Sequence, residues 1–391
     1  MKGNLTTRAS RSIDMSQLLA QAHHHESRIV DRMHALVEHE SPSSDKEAID
    51  KVAKLFAEWA RKAGGHIRWH RHRQHGDSLE VCFGEAYNRE RPVMILGHLD
   101  TVWNRGTIAH MPWKVTRERI AGPGVLDMKA GVIMALTAVE IVQSLHLLRR
   151  PVILLLHGDE EIGSPASRRV TESVAKRCDA VYVVEPAQGE AGAYKTARKG
   201  TGGYRLEVHG VAAHSGVDFE RGHSAVVELA WQIETIRNFS DPHRGITVNP
   251  GVIGGGTRSN VIAAEAWVEI DVRIARAKDA ARLDRAFRGL KPRDKFCRLD
   301  LTGGLNRLPM ERTPGTIALF RRAQRLGVQI AIDLDEAATG GASDGNFTSA
   351  LGIPTLDGMG AVGSGAHAAH EHLLRKHLAP RTALLAAMLV T

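Results

Sequence analysis

Three short runs along the chain, PVMILGH (92–98), PVILLLH (151–157) and AVYVVE (180–185), are apolar without alternation. That is the pattern of strands buried on both faces. Between the first two lies KAGVIMALTAVEIVQSLHLL, an apolar stretch too long for one strand and therefore read as a buried helix. Strand, helix and strand in this order predict an α/β fold with a mostly parallel sheet. Upstream, Ile29, Val30, Met33, Leu36 and Val37 recur at helical spacing. SPSSDKEAIDKVAKLFAEWA predicts a further helix, with Ser44 and Glu47 as its capping box and Ile49, Val52, Leu55, Phe56 and Trp59 on one face. The first 14 residues are polar and are expected to fray.

From about Thr201 the texture changes. YRLEVHG and AEAWVEIDVRI alternate apolar and polar residues, as half-exposed antiparallel strands do, with helical patterns near 222–238 and 278–290. After Leu308 the helix and strand patterns resume, and the chain ends in the apolar helix pattern RTALLAAMLV. The expected organisation is a discontinuous larger domain, 1–198 and 309–391, with a small α+β domain, 199–308, inserted into it.

Composition narrows the class. The chain has 391 residues, 43% hydrophobic and 25% charged, as in a globular protein. Its formal net charge is +8, but apart from IRWHRHRQH (67–75) the basic residues are scattered. No recognisable module accompanies them, so nucleic acid is not an expected partner. Cys82, Cys178 and Cys297 are odd in number and far apart, which indicates neither a disulfide framework nor a thiolate metal site. The N-terminal segment lacks the apolar core of a secretory signal, and nothing approaches the roughly 18 apolar residues of a membrane span. A cytoplasmic protein with no membrane partner is the expectation.

In open α/β sheets ligands bind beyond the carboxyl ends of the strands. The first apolar run delivers His98 and Asp100 there, and the following loop delivers Asp127. The second ends in Asp159, Glu160 and Glu161, the third in Glu185, and a C-terminal glycine-rich loop carries His367. Each has an ordinary reading in isolation: a strand-end histidine, a helix cap, a solvated acid. Their joint arrival at successive strand ends points instead to a borderline metal such as Zn²⁺, which accepts imidazole and carboxylate ligands. His98 and Asp100, two residues apart on a strand, point to one side, so Asp100 can hold the second ring nitrogen of His98. Among the three consecutive acids, one can bind metal while its neighbour moves protons.

The segments GHLDTVW, GPGVLDMKAG, GDEEIGS, VVEP, VHGVAAHSG, GGGTRSNVIAAEAWVEIDVR and GGASDGNF follow one another in the order seen in the M20 family of dinuclear zinc peptidases and deacylases. The chain resembles that family from about residue 20 to its end. The resemblance implies a zinc-exopeptidase-like catalytic domain with an inserted lid and dimerisation domain, and two Zn²⁺ per subunit, with Co²⁺ or Mn²⁺ as substitutes. It implies that His98 and Glu185 complete one site and Glu161 and His367 the other, with Asp127 bridging. Glu160 would be the general base and Asp100 the support of His98. His214 would stabilise the oxyanion in the partner subunit's site of a homodimer. Asn260 and Arg273 would hold the substrate's free carboxylate, a task that suits the planar fork of arginine. Two local features depart from the pattern. Ala368 follows the final histidine where serine is common, and His370 and His372 crowd the same loop. The HHH at 23–25 lies in a helical region away from the strand ends and reads as surface.

The implied activity is metal-dependent amide hydrolysis: a carboxypeptidase releasing a C-terminal amino acid, glutamate first among candidates, from small N-acyl or peptidyl substrates. A deacylase removing acetyl or succinyl groups from amino acids is the alternative on the same scaffold. A non-catalytic binding protein is disfavoured, because a binder has no use for Glu160.

Overall fold

The computed structural model describes residues 13–84 and 90–390. The N-terminal stretch expected to fray lies, for residues 1–12, outside them. The chain divides into two compact units, Met1–Tyr194 with Gly315–Glu336 and Thr355–Thr391, and Lys195–Pro314 with Ala337–Pro354.

In the first unit five strands, β1 (His66–His70), β2 (Gly76–Phe83), β3 (Val93–His98), β4 (Val152–Gly158) and β5 (Ala180–Val183), join the short Thr355–Leu356 strand. They form one sheet in the order β1-β2-β4-β3-β5 and then Thr355–Leu356. Strand β3 pairs in parallel with β4 and with β5, and the Thr355–Leu356 strand pairs in parallel with β5. The pairings of β2 with β1 and with β4 are antiparallel. Alternate residues Val93, Ile95, Val152, Leu154 and Leu156 enter the main core cluster, while Met94, Leu96, Ile153 and Leu155 are buried on the other face. Burial on both faces is why these strands are continuous apolar runs. The Ala130–Ser144 helix is buried nearly all round, packed against the sheet and against the Met15–His24 and Leu378–Val390 helices. Because β3, β4 and β5 run parallel, the loops after all three leave the sheet at one edge.

The Lys46–Lys62 helix packs on β1 and β2, and its cap differs from the expected Ser44–Glu47 box. Asp45 is the cap, its carboxylate accepting the Ala48 N–H at 3.0 Å. The basic run 67–75 is absorbed locally. His70 reaches Glu80 at 2.7 Å, His72 reaches the Ser78 hydroxyl at 2.8 Å, and Arg71 donates to Asp77. The HHH tract ends the Met15–His24 helix, and His24 and His25 form an edge-on aromatic pair. Among the described residues no helix is long and apolar enough to cross a membrane.

The second unit is a four-stranded antiparallel sheet of β6 (Gly200–His209), β7 (Thr247–Gly255), β8 (Glu265–Ile274) and β9 (Arg298–Arg307), in the order β7-β8-β6-β9. Ala266, Val268, Ile270, Val272 and Ile274 of β8 are buried and the residues between them more exposed, the origin of the alternation in the sequence. The buried face packs against Leu229 and Ile236 of the Ala225–Arg237 helix and Leu283 and Phe287 of the Ala280–Arg288 helix. Ala337–Pro354 belongs to this unit, whereas the domain division expected from the sequence placed it with the first. Buried Arg307 donates to Asp344 at 2.8 Å. The Asn346 amide donates to the Lys199 and Leu308 carbonyls at 3.1 and 2.7 Å.

Candidate metal centre

The first unit assembles His98, Asp100, Asp127, Glu160, Glu161, Glu185 and His367 at the carboxyl edge of its sheet. His98 ends β3 and is buried. Its Nδ1 lies 3.0 Å from the Asp100 main-chain oxygen and 3.4 Å from Asp100 Oδ1. Its Nε2 faces Asp127 Oδ1 at 3.3 Å and Glu185 Oε1 at 3.6 Å. Asp127 turns its other oxygen, Oδ2, to His367 Nε2 at 3.3 Å, and the same nitrogen lies 3.2 Å from Glu161 Oε2. Asp127 therefore divides its carboxylate between two histidines from distant parts of the chain.

His367 reaches this position through a small antiparallel sheet, in which Gly363–Ser364 pairs with His372–Leu374 and the latter with Arg119–Ala121. Arg119–Ala121 leads into the Asp127 loop, so the ladder sets the two loops side by side. His367 holds a left-handed backbone conformation (φ 62°), and the Asp127–Met128 peptide is cis.

His98 Nε2, Asp127 Oδ1 and Glu161 Oε1 are buried and make no hydrogen bond. Orphaned buried polar atoms are costly unless something else satisfies them. Ligands about 2.0–2.2 Å from a tetrahedral ion stand roughly 3.3–3.6 Å from one another, and the 3.2–3.6 Å separations here match that spacing. His98, Asp127 and Glu161, and separately His98, Glu160 and Glu185, bring ligand atoms within 4.8 Å of one another. Imidazole and carboxylate donors in this arrangement fit a divalent metal pair.

Considering the protein groups by themselves, burial opposes charge throughout. Burial pushes the Glu161 carboxyl up to about 7 against the pull of His367. Burial also disfavours the His98 imidazolium, yet the facing carboxylates of Asp100, Asp127 and Glu185 raise its pKa well above the usual range. Asp127 and Glu161 raise His367 to about 10. Burial works against the Asp127 carboxylate, but His367 and His98 hold it far below the usual range. The acids of this cluster call for positive charge, which protons on histidine or a metal can supply.

Asp100 does more than support His98. Fully buried, it accepts the Glu160 N–H on Oδ1 at 3.2 Å, the Glu161 N–H on Oδ2 at 3.1 Å and the Ser43 hydroxyl on Oδ2 at 2.7 Å. One carboxylate thus orients both a histidine and the backbone of the acidic pair. Asp159 is structural, its Oδ2 accepting the Ala166 and Ser167 N–H groups at 2.8 and 3.1 Å.

Sequence reasoning missed Ser43, Glu371 and two glycines. Glu371, buried, accepts N–H groups from Trp103, Gly124, Leu126 and Asp127. Burial pushes its carboxyl up, and the four donors oppose this without cancelling it. An added Cβ on Gly131 would lie 2.0 Å from the Val184 carbonyl oxygen, and one on Gly360 2.1 Å from the same atom. The strand end that delivers Glu185 is thus clamped between two glycines. Helix propensity alone favours Gly131→Ala by about 1 kcal/mol, but overpacking of this kind costs about 1–3 kcal/mol. We expect Gly131→Ala to lower the urea midpoint and to weaken metal uptake by displacing Glu185. An unchanged midpoint with unchanged uptake would show the clamp to be unimportant.

The remaining three site residues predicted from the sequence lie in the second unit. His214 is exposed and accepts the Gly216 N–H on Nδ1 at 3.2 Å, which leaves Nε2 to carry the proton. It bridges to Val261, and Ser215 N donates to the Asn260 carbonyl at 3.1 Å, so His214 and Asn260 are neighbours. Arg273 is not: it lies at the far end of β8, paired with Asp271 by two hydrogen bonds of 2.9 and 3.0 Å. The eight steps from Glu265 to Arg273 span roughly 27 Å at strand rise, and Asn260 precedes Glu265. Within one chain these two residues cannot hold the same carboxylate.

Residues 94–391 match the family model described as peptidase family M20/M25/M40. Carboxypeptidase G2 of Pseudomonas sp. (strain RS-16) is 27% identical over 312 residues, 76% of this chain and 73% of the relative. Succinyl-diaminopimelate desuccinylase of Acidovorax ebreus is 26% identical over 308 residues, 74% and 78% of the two chains. In structure, a Bacillus subtilis protein described as a dinuclear metal binding peptidase of the M20 family aligns with TM-score 0.69 at 14% identity, covering 94% of this chain and 98% of its own. With the family match extending over most of its length, the chain belongs to peptidase family M20/M25/M40 and is an enzyme of that metallopeptidase family.

Proposed function

We propose that the protein is a dinuclear zinc carboxypeptidase that releases a C-terminal amino acid, glutamate first among candidates, from small N-acyl or peptidyl substrates. The observation that carries this reading is the divided carboxylate of Asp127, one oxygen toward His98 and the other toward His367. His98 and Glu185 would hold one ion, Glu161 and His367 the other, and Asp127 both. The metal pair would supply Lewis acidity, polarising the scissile carbonyl and acidifying the attacking water. Glu160, whose backbone is held by Asp100, takes the proton from that water and passes it to the departing amine. His214, with its proton on Nε2, is suited to donate to the oxyanion of the tetrahedral intermediate. Arg273 and Asn260 would bind the substrate's carboxylate, Arg273 exchanging its contact with Asp271 for one with the substrate.

The separation of Asn260 from Arg273 supports a homodimer in which one copy supplies His214 and Asn260 to a site completed by the other's Arg273. The second unit would then be a lid and dimerisation domain. β7 lies at the edge of its sheet, with Val252 and Ile253 50% and 62% exposed. The Ala225–Arg237 helix adds exposed Val226, Val227 and Trp231. An unpaired edge beside an apolar face is a template for a second copy. Three cysteines present as thiols suit a reducing compartment such as the cytoplasm.

Similarity to a desuccinylase favours a second reading, removal of an acyl group from an amino acid. Both readings are amide hydrolysis, and one screen separates them. Apo-protein reloaded with Zn²⁺ or Co²⁺ is tested on dipeptides, N-acyl glutamates and other N-acetyl and N-succinyl amino acids. The expected result is uptake approaching two ions per chain and highest kcat/KM on substrates ending in glutamate. A preference set by the acetyl or succinyl group, whatever amino acid follows, would favour the deacylase. Full activity after exhaustive chelation would remove both.

A further inference from the structure

Glu371 lies 244 to 268 residues away in sequence from the four groups that it binds. Its Oε1 accepts the Leu126 N–H at 2.8 Å and the Asp127 N–H at 3.1 Å. Its Oε2 accepts the Gly124 N–H at 2.9 Å and the Trp103 indole N–H at 2.8 Å. The side chain is 1% exposed, so no water can replace these acceptors cheaply. Two successive backbone bonds, Glu371 N to Ala368 O at 2.9 Å and Ala368 N to Gly365 O at 2.8 Å, tie it to the turn that carries His367. Trp103 stands on the loop that follows His98 and Asp100. One carboxylate therefore joins three loops that bear site residues: that after β3, the Asp127 loop, and its own.

We infer that Glu371 is a positioning residue of the metal centre, holding the Asp127 loop against the His367 loop so that Asp127 faces both metal sites at once. The inference rests on the metal-centre reading above. Four N–H donors on two oxygens require an ionised carboxylate, since only that group offers enough lone pairs with no donor of its own. Glutamine would turn an NH₂ group toward two of the N–H donors. Aspartate keeps the charge but is one methylene shorter and cannot reach all four.

The test compares full-length wild type, Glu371→Gln, Glu371→Asp and Trp103→Phe. Each apo-protein is titrated with Co²⁺ and followed by visible absorption, then with Zn²⁺ against a competing chelator. Loss of a group that orients metal ligands weakens metal binding by about 10- to 100-fold. That loss is expected for Glu371→Gln in at least one binding step, with an altered cobalt spectrum. Activity at saturating metal should fall through kcat more than through KM. Glu371→Asp should recover part of the affinity. Trp103→Phe removes one donor of four and should cost about 2- to 12-fold, the range for one hydrogen bond. A merely structural role would lower the unfolding midpoint of Glu371→Gln but leave its cobalt spectrum and both affinities within about threefold of wild type, and that result overturns the inference. If Glu371→Gln does not fold, unchanged metal affinity in Trp103→Phe overturns it. Wild type that takes up no metal overturns this inference and the metal-centre reading together, whereas normal uptake by wild type and Glu371→Gln alike overturns this one alone.

Discussion

Glu160→Gln is expected to retain both metal ions and lose catalysis, kcat falling by about 10²- to 10⁴-fold, the usual contribution of a positioned general base. That corresponds to about 2.7–5.5 kcal/mol of transition-state stabilisation. The substitution is nearly isosteric, and the Glu160 contact to Asp100 is made by its main-chain N–H, which glutamine keeps. The loop should therefore stay in place while the side chain loses its ability to take a proton. Glu161→Gln differs, although the two residues hang from the same Asp100 carboxylate. The Glu161 carboxylate lies 3.2 Å from His367 and carries an orphaned buried oxygen, so its amide should weaken one metal site first. Metal content and kcat measured on the same preparations separate the two. Near-normal kcat in Glu160→Gln, or equal metal loss in both variants, would mean that the neighbours do not divide the work as described.

The first unit of the fold was legible where burial is uniform. The runs at 92–98, 151–157 and 180–185 lie close to β3, β4 and β5, because strands covered on both faces have no room for polar residues. β2 was not legible, although Leu79, Val81 and Phe83 are core residues. Its other face carries Ser78 and Glu80, with Asp77 at its start, and these are satisfied by His72, His157, Arg177, Lys46 and Arg71. Such polar residues hide a buried strand unless their partners are known. The cap of the Lys46–Lys62 helix lies one residue later than Ser44: both residue types are good caps, and it is the Asp45 carboxylate that accepts the Ala48 N–H.

The candidate site was legible through residue type at the strand ends, since imidazole and clustered carboxylate are conspicuous after an apolar run. What surrounds those residues was not. Glu371 binds backbone N–H groups, which every sequence supplies, so nothing at positions 124, 126 or 127 announces a partner at 371. Ser43 looks like one serine among three in SPSSD until its hydroxyl is found 2.7 Å from Asp100. Gly131 lies in a helix, where glycine suggests weakness, but here it marks the close approach of a carbonyl. Long-range placement also changed the reading of Asn260 and Arg273. Both lie in one motif of the sequence, yet an extended strand puts them at opposite ends of a sheet.

The proposed homodimer is testable through catalysis. His214→Ala, like Glu160→Gln, should be nearly inactive by itself, since removing one oxyanion donor costs about 10²- to 10³-fold. If His214 acts in the partner's site, a dimer formed from one subunit of each variant has one site lacking both groups and one site lacking neither. The second site combines an intact Glu160 from the His214→Ala subunit with an intact His214 from the Glu160→Gln subunit. Mixing the two inactive proteins under conditions that allow subunit exchange should therefore restore activity, rising toward one competent site in each mixed dimer. If His214 instead serves its own chain, every site in the mixture lacks one group and no activity returns. Exchange is verified separately with differently tagged subunits co-purified after mixing. The complementation distinguishes the arrangements without requiring that either variant affect dimer stability, because the two unmixed reference samples carry the same substitutions as the mixture, one in each. Recovery would place His214 across the interface and give the β7 edge a function. Verified exchange with no recovery would confine His214 to its own chain or remove it from catalysis.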